Sequence, residues 1–175
     1  TGTRGTTGPR NQLTLVNVLH FVVALSVATF PPQRAQRAPV TACQPVTPLM
    51  RVSGLPELSG LAVSRTMAGV LWAHNDSAPP VLVALDADGA VKARVRLSGI
   101  TLLDWEAVAV GPCPAGSCVY AADIGDNAAA RRRIAVYRFP EPSLAQQTIQ
   151  VRDVFYGTYP DGPHDAESLL VAADG

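Results

Sequence analysis

From residue 57 onward the chain is a succession of short apolar runs broken by polar turns. Val91-Lys92-Ala93-Arg94-Val95-Arg96-Leu97 alternates apolar and basic residues without a break. That period of two predicts a half-buried strand, and its Lys and Arg side chains suit an outer edge. Val81-Leu82-Val83-Ala84-Leu85 precedes it, and Asp88-Gly89 between them predicts a tight hairpin. Leu71-Trp72-Ala73 and Val119-Tyr120-Ala121-Ala122 are apolar runs that end in acidic loops, His74-Asn75-Asp76 and Asp123-Ile124-Gly125-Asp126-Asn127. Ile134-Ala135-Val136-Tyr137 follows the second loop as Val81–Leu85 follows the first. All of these runs are strand-like in length and pattern, which predicts an all-β body.

The order of the runs repeats. Glu57-Leu58-Ser59-Gly60-Leu61-Ala62-Val63-Ser64, Asp104-Trp105-Glu106-Ala107-Val108-Ala109-Val110-Gly111 and Asp165-Ala166-Glu167-Ser168-Leu169-Leu170-Val171-Ala172 align on Ser59, Glu106 and Glu167. Four-stranded units recurring about every 40–50 residues are the mark of β-propeller blades. The expected architecture is a propeller fragment of two four-stranded antiparallel blades, 57–103 and 104–164, with the first strand of a third at 165–175. A β-sandwich is the alternative. Since repeat units bury their faces against neighbours, the 175-residue chain alone is expected to fold poorly or aggregate.

The first 52 residues differ in kind. Residues 13–30 are mostly apolar, follow Arg4 and Arg10, and precede Pro31-Pro32. This predicts an apolar helix serving as a secretory signal peptide, with a membrane anchor as the alternative, and leaves 31–52 as a Pro-rich linker to the domain over 53–175. Val40-Thr41-Ala42-Cys43 resembles a bacterial lipoprotein box, which makes Cys43 a candidate for lipidation. A secreted, periplasmic or cell-envelope location follows, with membrane contact only through the N-terminal segment. The other two cysteines, in Cys113-Pro114-Ala115-Gly116-Ser117-Cys118, bracket a predicted hairpin and are expected to form a disulfide. A zinc pair is disfavoured because no second pair of ligands completes four.

Charge sharpens the picture. The formal net charge is zero, but residues 1–56 hold five Arg and no acid. The body therefore has fourteen acids against nine bases, a net of −5, which argues against a nucleic-acid partner. Its only basic run, Arg131-Arg132-Arg133, is expected in a solvated loop rather than as a phosphate site.

In a blade, the loop before the first strand and the loop after the second share one rim. That gathers His74, Asn75, Asp76, Asp104, Glu106 and Asp123 with Asp126, Asn127, His164, Asp165 and Glu167. Oxygen-rich, thiol-free clusters suit Ca²⁺ or Mg²⁺. The candidate ligands are Glu106 and Glu167 foremost, then Asn127, Asp126 and Asp104, with Ca²⁺ the expected ion. His74 and His164 are candidate general bases, since histidine titrates near neutral pH. Asp and Asn in such loops also cap turns by bonding their own backbone.

Glu57–Ala62, His74-Asn75-Asp76-Ser77, Asp104–Ala109 and Asp123–Asn127 resemble an uncharacterised group of exported bacterial β-propeller proteins. More distantly they resemble calcium-dependent propellers of the gluconolactonase and paraoxonase type, and phytase-like esterase propellers. The resemblance covers about residues 53–175. It implies calcium held by Glu106, Asn127 and Glu167, although Ser59 stands where the first blade would offer a Glu. Two functions remain open: an envelope scaffold binding a ligand or protein on the acidic rim, and a metal-dependent hydrolase of an ester, lactone or phosphoester.

Overall fold

The computed structural model describes residues 51–77 and 79–175. The expectations for the leader, most of the linker and Cys43 lie outside them. Among the described residues there is no helix, and none long and apolar enough to cross a membrane.

Among the described residues nine strands form two sheets. The first contains β1 (Leu58–Val63), β2 (Leu71–Asn75), β3 (Val81–Leu85) and β4 (Val91–Ser98), hydrogen-bonded in that order and all antiparallel. The second contains β5 (Trp105–Cys113), β6 (Gly116–Asp123), β7 (Ile134–Pro140) and β9 (Asp153–Gly157), also an antiparallel meander. On its way from β7 to β9 the chain adds β8 (Thr148–Gln150) to the first sheet, parallel to β4. The basic strand 91–97 is therefore not a free edge along its whole length: Arg96, Leu97 and Ser98 are paired with β8.

Period-two patterning explains how the sheets meet. Trp72, Leu82, Ala84, Val95 and Leu97 from the first sheet pack with Val108, Val119, Ala121, Tyr137 and Phe139 from the second. Each comes from one face of its strand, so one apolar core lies between the sheets. The opposite faces carry smaller clusters. Ala73, Val83 and Leu85 are covered by Leu55. Ala107, Ala122 and Ile124 are covered by Ala166 and Leu169. Residues 165–175 do not form the expected strand. They lie along the second sheet, bonded to it by the Ala166 amide donating to the Ile124 carbonyl at 3.4 Å.

Glu141, just after β7, ties the sheets together at their core. Its Oε1 accepts from Ser64 Oγ at 2.5 Å and from Trp72 Nε1 at 2.9 Å, and its Oε2 accepts from Ser117 Oγ at 2.7 Å. Burial pushes this carboxyl up, but the donors more than offset it and hold it below the ordinary carboxylate range.

Both predicted turns are present. The β3–β4 hairpin turns at Gly89, whose φ of 75° is open to glycine. Asp86 Oδ1 accepts from the amides of Asp88 and Ala90. The β5–β6 hairpin carries the expected Cys113–Cys118 disulfide.

Candidate functional site

The first and fifth strands open on irregular register. In β1 the pairing with β2 shifts between Leu58 and Leu61. In β5 the pairing with β6 shifts between Trp105 and Ala107. A bulge places an extra residue and re-aims its side chain. The two bulges contain Ser59 and Glu106, the positions that align in the sequence. β1 and β5 lie against one another here: Ser59 Oγ donates to the Glu106 carbonyl at 2.8 Å. The approach is so close that a Cβ on Gly60 would sit 2.5 Å from the Val108 nitrogen.

Glu106 becomes the centre of an acidic group. Ligand oxygens of Asp76, Asp104 and Glu106 lie within 4.8 Å of one another, and so do those of Glu106, Asp165 and Glu167. The five carboxylates come from the end of β2, the start of β5 and the segment after Pro163. Glu106 is 7% exposed. Burial, then the hydrogen-bonded Glu167 carboxyl, then the charges of Asp76, Glu167 and Asp104 push its pKa up to about 8. Its side chain has another carboxyl as its hydrogen-bond partner and no basic group from the described residues. Asp76 is raised as well, by burial and then by Asp104, Glu57 and Glu167.

Gly125 makes this crowding possible. A Cβ there would lie 2.5 Å from both Asp104 Cγ and Glu106 Oε1, so the loop after β6 crosses directly over the two carboxylates. Of the other expected ligands, Asn127 Nδ2 donates to Asp104 Oδ2 over a long 3.5 Å. Asp126 serves its own loop: its two oxygens accept from the amides of Ala130 and Arg131, at 2.9 and 2.7 Å. The Asp126 amide donates to Asp165 Oδ1 at 2.6 Å. Asp165 and Asp76 join the group although neither was among the ligands expected from sequence. Asp165 was legible in principle, because Asp165-Ala166-Glu167 repeats Asp104-Trp105-Glu106.

The other rim candidates lead elsewhere. Asp123 pins the start of β5, its Oδ1 accepting from the amides of Leu103 and Asp104. The same oxygen pairs with Arg131 Nη1 at 3.0 Å. Arg131 also donates to the carbonyls of Gly125 and Asp123. The basic run is thus not wholly solvated: its first member is a half-buried strut of the β6–β7 loop, and nothing in its spacing announced this.

His74 is fully buried, with its ring stacked on Trp105 at 3.9 Å between centroids and 3° between planes. Its Nδ1 lies 3.0 Å from the Asn75 carbonyl, which only accepts, so Nδ1 carries the proton. Burial lowers its pKa to about 4, with the Asn75 carbonyl opposing. His74 is therefore a neutral ring in the seam between sheets, its Nε2 without a partner among the described residues. His164 is exposed, pairs with Asp161 at 2.8 Å and meets the edge of Tyr159. It is not among the residues whose ligand atoms converge.

Compared with sequence profiles of protein families, with curated proteins and with solved structures, the chain matches none.

Proposed function

We propose that the two sheets are blades of a β-propeller, that the protein works outside the cytoplasm, and that its acidic rim holds a divalent cation. The observation that carries the cation is Glu106: a buried carboxyl surrounded by four others and, among the described residues, by no compensating base. Like charges this close raise one another's pKa unless a cation or donors neutralise them. An all-oxygen set of carboxylates, with the Asn127 amide nearby, has the chemistry of a Ca²⁺ site. The matched bulges, the contact of β1 with β5 and the two four-stranded meanders support the propeller reading. The disulfide is compatible with an oxidising compartment.

On this reading the protein is a scaffold whose cation-loaded rim binds a ligand or protein. A second reading, a metal-dependent hydrolase, is favoured by the same crowding, since burial and neighbouring carboxylates push the Glu106 pKa up to about 8, toward the range where a general acid or base works. In that case the cation would polarise an ester, lactone or phosphoester oxygen or activate water. The two readings share the cation. Calcium added to chelator-treated protein should raise its melting temperature, and Glu106→Gln should abolish the rise. No rise with Ca²⁺ or Mg²⁺ would remove both readings.

A further inference from the structure

A second concavity shares no residue with the carboxylate group, although Asp123, which accepts from the Asp104 amide, is part of its wall. It is a cavity of about 380 Å³, within the size range of small-molecule pockets. The β4–β5 connection, the start of β7 and the strand β9 enclose it. Ile100, Leu103, Ile134 and Val154 supply apolar wall, and Tyr137 and Tyr156 supply rings.

Its polar lining is lopsided. Three arginines, Arg131, Arg133 and Arg152, face two acids, Asp123 and Asp153. Both acids are already paired, Asp123 with Arg131 and Asp153 with Arg138, each at 3.0 Å. Arg133 and Arg152 form no ion pair with any described residue. The Arg133 guanidinium carbon lies over the Tyr156 ring, 3.9 Å from its centroid, a cation–π contact that uses none of its N–H donors. Arg131 Nε is buried without an acceptor. Arg133 and Arg152 are both exposed and open onto the cavity mouth, where their guanidinium groups can meet a ligand without first leaving a partner.

We propose that this cavity binds a small organic carboxylate, its apolar body against Ile100, Ile134 and the tyrosines and its carboxylate on Arg133 and Arg152. A planar guanidinium fork matches a carboxylate's two oxygens, and the apolar walls select against a bare inorganic anion. The proposal is independent of the cation.

The test uses the full-length oxidised chain with benzoate as probe and benzamide as its neutral counterpart. Benzoate should bind saturably, benzamide at least about tenfold more weakly, because only the carboxylate engages the guanidinium groups. Replacing both arginines (Arg133→Gln with Arg152→Gln) should weaken benzoate by about tenfold or more, as expected for loss of charge-assisted bonds. Glu106→Gln should leave benzoate binding unchanged, so failure here and failure of the cation reading are separable. Arg152 is exposed, so Arg152→Gln alone keeps the fold and should still weaken benzoate. Equal binding of benzoate and benzamide, or unchanged benzoate affinity in Arg152→Gln, would overturn the proposal.

Discussion

Ser59 and Glu106 are bonded to one another: the Ser59 hydroxyl donates to the Glu106 backbone carbonyl at 2.8 Å. They occupy aligned positions in the sequence, and each sits in the bulge that opens its sheet. Through its side chain Glu106 then meets Glu167, the third aligned position. The three sequence positions thus form a connected path along one rim. Ser59→Ala removes one hydrogen bond and strands a carbonyl, so it should lower unfolding free energy by about 1 kcal/mol. Urea denaturation of metal-free protein measures this.

Gly60 should be far less tolerant. A Cβ there meets the Val108 nitrogen at 2.5 Å and His74 Nε2 at 2.8 Å, and backbone cannot step aside as a flexible side chain can. Gly60→Ala is expected to cost roughly 2–3 kcal/mol, in the range of overpacked cores. A change under about 0.5 kcal/mol, the usual size for a neutral surface site, would show that the sheets do not approach this closely.

Glu141 was invisible to sequence reasoning. A Glu beside Pro140 and Pro142 reads as a surface turn, and only the folded chain brings Ser64, Trp72 and Ser117 to it. Glu141→Ala leaves the buried Trp72 N–H without an acceptor and should destabilise by about 3 kcal/mol. Its folded pKa is depressed, so its contribution is present above the unfolded value and lost as pH falls.

Two groups set opposite pH slopes at neutral and mildly acid pH. Glu106 has its folded pKa raised from 4.5 to about 8. The folded state therefore holds the extra proton across that window, and stability falls as pH rises through it. His74 is lowered from 6.5 to about 4. There the unfolded state holds the extra proton, and stability falls as pH drops through that window. The slopes oppose one another between the ordinary Glu and His values, and above pH 6.5 the Glu106 slope is no longer opposed by His74. Metal-free protein should have a broad maximum on the acid side of neutrality and lose up to about 1.4 kcal/mol per pH unit from there to about pH 8. In Glu106→Gln that alkaline loss should vanish; its persistence would assign it to another group.

The hairpin staple gives a further check. The full sequence has three cysteines, so the denatured, unreduced chain should show one thiol and the reduced chain three. Removing the Cys113–Cys118 bridge by Ser substitution at both positions should cost about 2 kcal/mol, the loop-entropy value for so short a ring.

What was legible follows from what is local. Alternation in Val91–Leu97, the Asp88-Gly89 turn and the Cys113–Cys118 spacing each predict a feature from neighbouring residues, and each feature is present. Asp104-Trp105-Glu106 and Asp165-Ala166-Glu167 are similar stretches, and all four of their carboxylates belong to the groups that meet at Glu106. Partners far apart in sequence were not legible. Strand β8 leaves the sheet of its sequence neighbours β7 and β9 and shields three of the eight residues of β4. Residues 165–172 resemble 104–111 in sequence, yet they lie along the second sheet without forming a strand. Arg131 and His74 read as surface and rim residues, yet a salt bridge to Asp123 and a stack on Trp105 take them inside.

The cation is the central claim, and calorimetric titration tests it most directly. Ca²⁺ would be added at pH 7 to metal-free, full-length protein in two buffers of different protonation enthalpy. A carboxyl with a pKa of about 8 is mostly protonated at that pH, and a bound cation must displace its proton. The expected result is saturable binding with up to one proton released per ion, both lost in Glu106→Gln. Absence of binding in the unmodified protein, or binding by Glu106→Gln with the same affinity and proton release, would contradict it.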